Sequence, residues 1–321
     1  MRNLVFSFVL IALLIAAPVF AQSYPAKPVT VIVPFPPGGP LDSSARLIGK
    51  ALADRMKQPV VIDNRSGAGG TVGTVAAAKA AADGYTLLWA ASSGLVIAPA
   101  MYAQLGYDPI KSFSPVTLMV RGQQVLVARA NLEFTSLREL VSASRANPGQ
   151  FTYGSPGSGS APHLVVELLK SVSGAAFVHV PYKGGAQALS DLLGGHIDLM
   201  INSILLLSPQ IRTGKVKALA VSGRTRDPLL PQVPTMAEAL NVDFEGYSWF
   251  GLAAPAGTPA VIVNWLSAEL NALLADKQVR GDLAEQGLEP VGGTPEQFAQ
   301  TIAQELKKWS VAIKAAGIKA D

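Results

Sequence analysis

Cysteine is absent from all 321 residues, and its absence excludes disulfides, thiolate metal ligands and thiol nucleophiles together. Histidine is scarce: the three copies, His163, His179 and His196, are not spaced as a metal cluster, so no metal site is expected. Charged residues make up only 15% of the chain. Lysine and arginine nowhere gather into a phosphate-binding footprint, and nucleic acid is not an expected partner. No serine sits in a G-x-S-x-G elbow, and no glycine-rich stretch carries a P-loop lysine. The apolar run Leu4 to Ala17 falls short of a membrane span, which takes about 20 residues, and no later stretch is long and apolar enough either.

What the chain does contain is apolar material, 49% of its residues. Arg2, the apolar run and the small-residue exit Pro18-Val19-Phe20-Ala21 have the order of a secretory signal peptide, so residues 1–21 are read as a leader. The net charge of +4 falls to +3 once Arg2 is removed with it. An exported chain without disulfides must rest on its core alone, and a length of about 300 residues supports one large or two moderate cores.

From Val29 onward, short β-like runs alternate with helical patterns: VTVIV, a helix near Leu41 to Met56, PVVID, a helix near Thr71 to Ala81, and YTLLWA. A second series starts near Gln124 with VLVA, a helix over 136–146, FTYGS, a helix over 162–173, FVHVPY, a helix over 186–193, HIDLMIN and then VKALAVS. This alternation predicts an α/β fold with mainly parallel sheets in two lobes. The tail, YSWFGLAAPAGTP and then helices over 259–274, 277–286 and 295–316, returns to cover the first lobe. Residues 24–122 and 246–321 therefore form lobe 1 and 123–245 lobe 2. Two crossings, near Arg121-Gly122 and Glu245-Gly246, make a hinge with a ligand cleft between the lobes.

Two loops stand where strands hand over to helices, the place where open α/β sheets bind ligands. The first is VPFPPGGPLD, residues 33–42; its prolines stiffen the turn, and Gly38 and Gly39 allow close backbone approach. The helix start near Leu41 supplies unpaired amides and a positive dipole end for an anion, and Asp42 favours that same helix start. The second is YGSPGSGSAPH, residues 153–163, where Ser155, Ser158 and Ser160 offer hydroxyls and Pro162 suits a first helical turn. Ser92, after YTLLWA, and Asn202-Ser203, at the end of HIDLMIN, are further polar strand ends facing the cleft. Tyr182 and the run Tyr247 to Phe250 offer aromatic walls. The stretch GAGGTVG near Gly67 approximates a dinucleotide fingerprint but follows the second strand, so no nucleotide and no cofactor is expected.

The ordered blocks YPAKPVTVIVPFPPGGPLDSSAR, VVIDNRSGAGGTVGT, DGYTLLWA, FTYGSPGSGSAPHL, VPYKGG, GGHIDLMIN, VPTMAEA and GLAAPAGTP run through nearly the whole chain after residue 23. In them the sequence resembles the substrate-binding proteins of tripartite tricarboxylate transporters, the Bug family. The resemblance implies a type II periplasmic-binding-protein fold, a periplasmic location, and no enzyme activity. It implies a monomer that captures a small organic carboxylate for membrane transporter subunits. By motif match the first-lobe grip falls on Phe35, Gly38, Gly39 and Leu41, and the second-lobe grip on Ser155, Ser160 and Ala161. Leu41 stands where the family often has threonine, which removes a hydroxyl contact. Two other functions fit the residues: a secreted serine hydrolase pairing a serine of the second loop with His163, and a periplasmic ligand sensor feeding a signalling receptor.

Overall fold

The structure is a computed structural model and describes residues 24–102 and 104–316. The expected leader, residues 1–21, lies outside the described residues. In chain order, β1 (Val29–Val33) leads to α1 (Pro40–Met56), β2 (Val60–Asn64), α2 (Thr71–Ala78) and β3 (Thr86–Ala91). A π-helical turn, Ser93–Ile97, and α3 (Ala98–Met101) precede β4 (Phe113–Arg129). Then come α4 (Leu137–Ala146), β5 (Thr152–Ser155), α5 (Ala161–Ser173), β6 (Val178–Pro181), α6 (Gly185–Gly194), β7 (Leu199–Ser203) and α7 (Ile204–Arg212). The chain finishes with β8 (Val216–Val221), α8 (Met236–Leu240), β9 (Tyr247–Pro255), α9 (Ala260–Ala275), α10 (Lys277–Glu285), β10 (Leu288–Pro290) and α11 (Pro295–Ala316).

The strands run β2-β1-β3-β9-β4-β7-β5-β6, with β8 and β10 also paired to β4. The joint of the molecule is β4, whose 17 residues serve two sheets. Its first part, Phe113 to Gln123, pairs with β9, and its second, from Gln124, pairs with β7 and β8. The expectation of mainly parallel sheets needs correction. The pairs of β1 with β2 and β3, and of β5 with β6 and β7, are parallel. Every pairing of β4 and β9 is antiparallel, because these strands carry the chain across the joint and back. The tail also brings a fresh strand, β10, which lies against β4 at Val120 to Gly122.

Local sequence explains the elements that position the site. VTVIV in β1 is rich in β-branched residues and almost wholly buried, as a strand covered on both faces must be. Helix α1 buries Leu41, Ala45, Ile48, Leu52 and Met56 on one stripe, and Lys57 ends it in the left-handed region at φ 56°. One core gathers these residues with Val31, Leu87, Leu252 and Leu270. Another gathers Leu126, Phe151, Tyr153, Val165, Leu199 and Phe244. A third cluster joins Leu95, Trp249, Phe298 and Trp309 to Ala161 and Leu164 at the start of α5, so that helix is rooted in both halves. Trp249 and Phe250, neighbours in β9, are both buried and belong to different clusters, as strand alternation requires.

Candidate functional site

The first loop is pinned by a buried carboxylate. Asp42 is 3% exposed; its Oδ2 accepts the Gly38 N–H at 2.9 Å, and its Oδ1 accepts Asn64 Nδ2 at 2.9 Å. Arg46, one helical turn on, bonds the same carboxylate at 2.9 Å and Asn64 Oδ1 at 2.9 Å. Asn64 Nδ2 also reaches the Phe35 carbonyl at 3.0 Å. Burial pushes the Asp42 carboxyl up, but the hydrogen bonds from Arg46, the Gly38 amide and Asn64 together hold it below the ordinary carboxylate range. Asp42 therefore does more than favour the helix start: it builds the turn. Gly38 adopts φ +87°, and its amide is occupied by Asp42. Gly39 is the N-cap residue, Pro40 has no N–H, and the Leu41 and Asp42 amides stand at the helix start without intrahelical acceptors. The Leu41 side chain is 4% exposed and packs in the first core, so what it turns toward the loop is its backbone.

The second loop is pinned by hydroxyls and imidazole rings. Ser155, fully buried at the end of β5, accepts the Gly157 N–H at 3.2 Å, and its Oγ lies 2.7 Å from His179 Nε2. Ser160 caps α5 by accepting the His163 N–H at 3.4 Å, and the Gly159 N–H donates to His163 Nδ1 at 3.1 Å. Thus Ser155 and Ser160 hold their own loop. The Ala161 amide, first in α5 and followed by Pro162, has no intrahelical acceptor. The serine beside a histidine ring at 2.7 Å is Ser155, and its partner is His179 rather than His163.

Contacts bring these loops into a ring. A Cβ placed on Gly70 would lie 2.9 Å from the Phe35 ring, so close approach there depends on glycine, and one on Gly69 would meet the Ser158 carbonyl at an ordinary contact distance of 3.8 Å. Gly159 comes as near to Met101 Sδ, where a Cβ would sit at 3.0 Å. On the other flank Ser43 Oγ bonds Gln286 Oε1 at 3.0 Å, and Gly287 lies against Ile204 at the start of α7. Across the joint, Gln124 Nε2 donates to Ser248 Oγ at 2.8 Å, and Trp249 N–H approaches Ser92 Oγ at 3.5 Å.

Within this ring several buried polar atoms lack partners: Asn202 Nδ2, Ser203 Oγ and Gln124 Oε1. Ser203 and Gln124 face each other across β7 and β4. Asn202 Oδ1 accepts the Ser203 N–H at 2.7 Å, leaving its Nδ2 beside Gly185, the first residue of α6. Each buried unpaired polar group costs about 1–3 kcal/mol, which a hydrogen-bonding guest recovers. No lysine or arginine is buried among the described residues, so a guest here meets amides and neutral side chains. No group of metal-binding side chains occurs among the described residues. Sequence reasoning named Asn202 and Ser92 but missed Gln124, Ser248 and Gln286; the only advance signal was that Gln124 opens an apolar strand run.

A two-part sheet joined by two crossing strands, with strand-end loops meeting at the joint, defines a two-lobed periplasmic binding protein fold. The sequence model for the tripartite tricarboxylate transporter family receptor, TctC, matches residues 44–318, and the chain belongs to that family of periplasmic solute-binding receptors. Protein BugT of Bordetella pertussis is 40% identical over 306 residues, covering 95% of this chain and 94% of its own. Among solved structures, the Rhodopseudomonas palustris protein Rpa4515 with adipate is 37% identical, with a TM-score of 0.87 over 92% of this chain and 99% of its own. MatC of the same organism, with bound malate, is 35% identical, with a TM-score of 0.82 over 90% of this chain and 100% of its own.

Proposed function

We propose that this receptor captures a small organic anion bearing a carboxylate and delivers it, as a monomer, to the membrane subunits of a tripartite tricarboxylate transporter. The leader at residues 1–21 takes it to the periplasm, residues 24–122 with 246–321 form one lobe, and 123–245 form the other. The observation that carries the reading is the set of unpartnered buried atoms Asn202 Nδ2, Ser203 Oγ and Gln124 Oε1, where the end of β7 pairs with Gln124 and Val125 of β4. A carboxylate taken out of water must regain hydrogen bonds, and the amides at Leu41 and Ala161 supply them without a cation. Relatives described with adipate and malate support an acid as the guest. The protein acts by binding and closure rather than by turnover, because Ser155 is buried with its hydroxyl held inside its own turn. Mass spectrometry of the small molecule that copurifies, with a thermal-shift panel of mono-, di- and tricarboxylates, tests the reading. A raised melting temperature with an acid is the expected result; stabilisation by sugars or metal ions alone overturns it.

A further inference from the structure

We propose that His163 and His179 are positioning residues that hold both ends of the second binding loop and make ligand affinity fall as pH drops; this rests on residues 155–161 being a ligand grip. The two rings stack with centroids 3.9 Å apart and planes 18° apart. Each ring secures a different end of one turn. His179 Nε2 lies 2.7 Å from Ser155 Oγ, at the loop's start, and His163 Nδ1 accepts the Gly159 N–H at 3.1 Å, near its end. Between them Gly157 and Gly159 take φ +132° and +74°, conformations open to glycine.

The Gly159 bond fixes chemistry as well as position. An acceptor at Nδ1 needs its lone pair, so His163 must be neutral with its proton on Nε2. Protonation at Nδ1 sets N–H against N–H and frees the Gly159 amide. Charging both rings places two cations face to face at stacking distance, where repulsion is strong in a site only 5% exposed at His163.

One neighbouring charge acts in the opposite sense. On α5, Glu167 Oε1 lies 4.0 Å from His163 Nε2 and would favour a cation there. That oxygen already takes Lys170 Nζ at 2.8 Å and the Tyr153 hydroxyl, from β5, at 2.6 Å. Tyr153, whose own hydroxyl is pushed well above its ordinary range by burial and then by Glu167, stays neutral throughout. The Tyr153 ring lies 4.9 Å from that of His179 on the neighbouring strand β6. At the start of α5, β9 and α11 present apolar Trp249 and Phe298. Glu167 is thus shared among partners, while His163 Nδ1 accepts the Gly159 N–H, and the neutral state holds the loop.

The test uses the whole protein with adipate as probe, followed by calorimetry between pH about 8 and about 5.5, across the histidine range. The wild type should weaken about tenfold or more over that range. His163→Asn places an amide oxygen where Nδ1 stood and does not titrate. It should restore much of the affinity that His163→Leu loses, and its pH dependence should flatten to about threefold or less. On the ligand-free protein, nitrogen NMR of the histidines should report the Nε2-protonated tautomer of His163 at high pH. Amide exchange over 157–160 should quicken on acidification, relative to intrinsic rates, while that over 38–43 does not. A wild-type affinity that is flat with pH, or a His163→Asn protein with the full pH dependence, overturns the proposal. If adipate binds at neither pH, the choice of an acid as guest is what suffers. The tautomer and exchange measurements still decide the histidine role, and a loop indifferent to pH rejects it.

Discussion

The loop at 34–42 is held by charge, and the loop at 155–161 by imidazole rings and hydroxyls. In the first, Asp42 gathers Gly38, Asn64 and Arg46 around one carboxylate. In the second, Ser155, Ser160 and the stacked histidines do the same work. Both loops turn their polar side chains inward on themselves, and what each leaves over is a helix-start amide, at Leu41 and at Ala161. The difference appears with pH. Asp42 has its folded value depressed, so its contribution is complete above the ordinary carboxylate range near about 4 and fades only as pH falls through the depressed value. Between pH about 5 and 8 the first loop is constant, while the histidines of the second lie in their titration range.

The comparison can be broken in several places. Asn202→Asp keeps the oxygen that accepts the Ser203 N–H and replaces an unpartnered donor with a negative charge. Affinity for an organic acid should fall about 100-fold, since like charges at close quarters cost several kcal/mol; calorimetry that finds the acid bound as before removes Asn202 from the site. Gly39→Val comes next. Gly39 has an ordinary φ of −85° and nothing within 4 Å of a Cβ position, so the added side chain enters open space at the loop without strain. Binding should weaken about tenfold at unchanged melting temperature, whereas Gly38→Val, at φ +87°, should also lose about 1–2 kcal/mol of stability. Asp42→Ala should have the smallest direct effect on affinity. Its main result should be a stability loss of about 2 kcal/mol by urea denaturation, from hydrogen bonds to a buried charge.

Much of this was legible in the sequence. The corner between β1 and α1 announced itself through VTVIV, the PPGGP turn and the stripe of α1, and observed boundaries differ from expected ones by a residue. The length of β4 was not legible: Pro115 and the polar run Arg121 to Gln124 hide a strand that its neighbours pair with along its length. Helix α7, with Pro209 inside ILLLSPQIR, was also missed, since an apolar run broken by proline has no helical period. The bracing of the loops was hidden for a different reason. Asp42, at the start of α1, and Asn64, at the end of β2, come together because β2 pairs in parallel with β1, whose end leads into α1. His163 and His179 meet because α5 folds back over β5 and β6, where His179 stands in register with Tyr153. Leu41, expected to mark how the ligand differs from those of relatives, instead contributes its side chain to the core and its amide to the loop.

The claim that a carboxylate closes between the two helix starts is tested most directly by a crystal structure with the acid that stabilises the protein most in the thermal-shift panel. The account predicts carboxylate oxygens within hydrogen-bond distance of the Leu41 amide on one side or the Ala161 amide on the other, with the remainder of the ligand meeting Asn202, Ser203 or Gln124. An acid bound outside the ring formed by the loops at 34–43, 67–70, 155–161, 202–204 and 286–287 would contradict it.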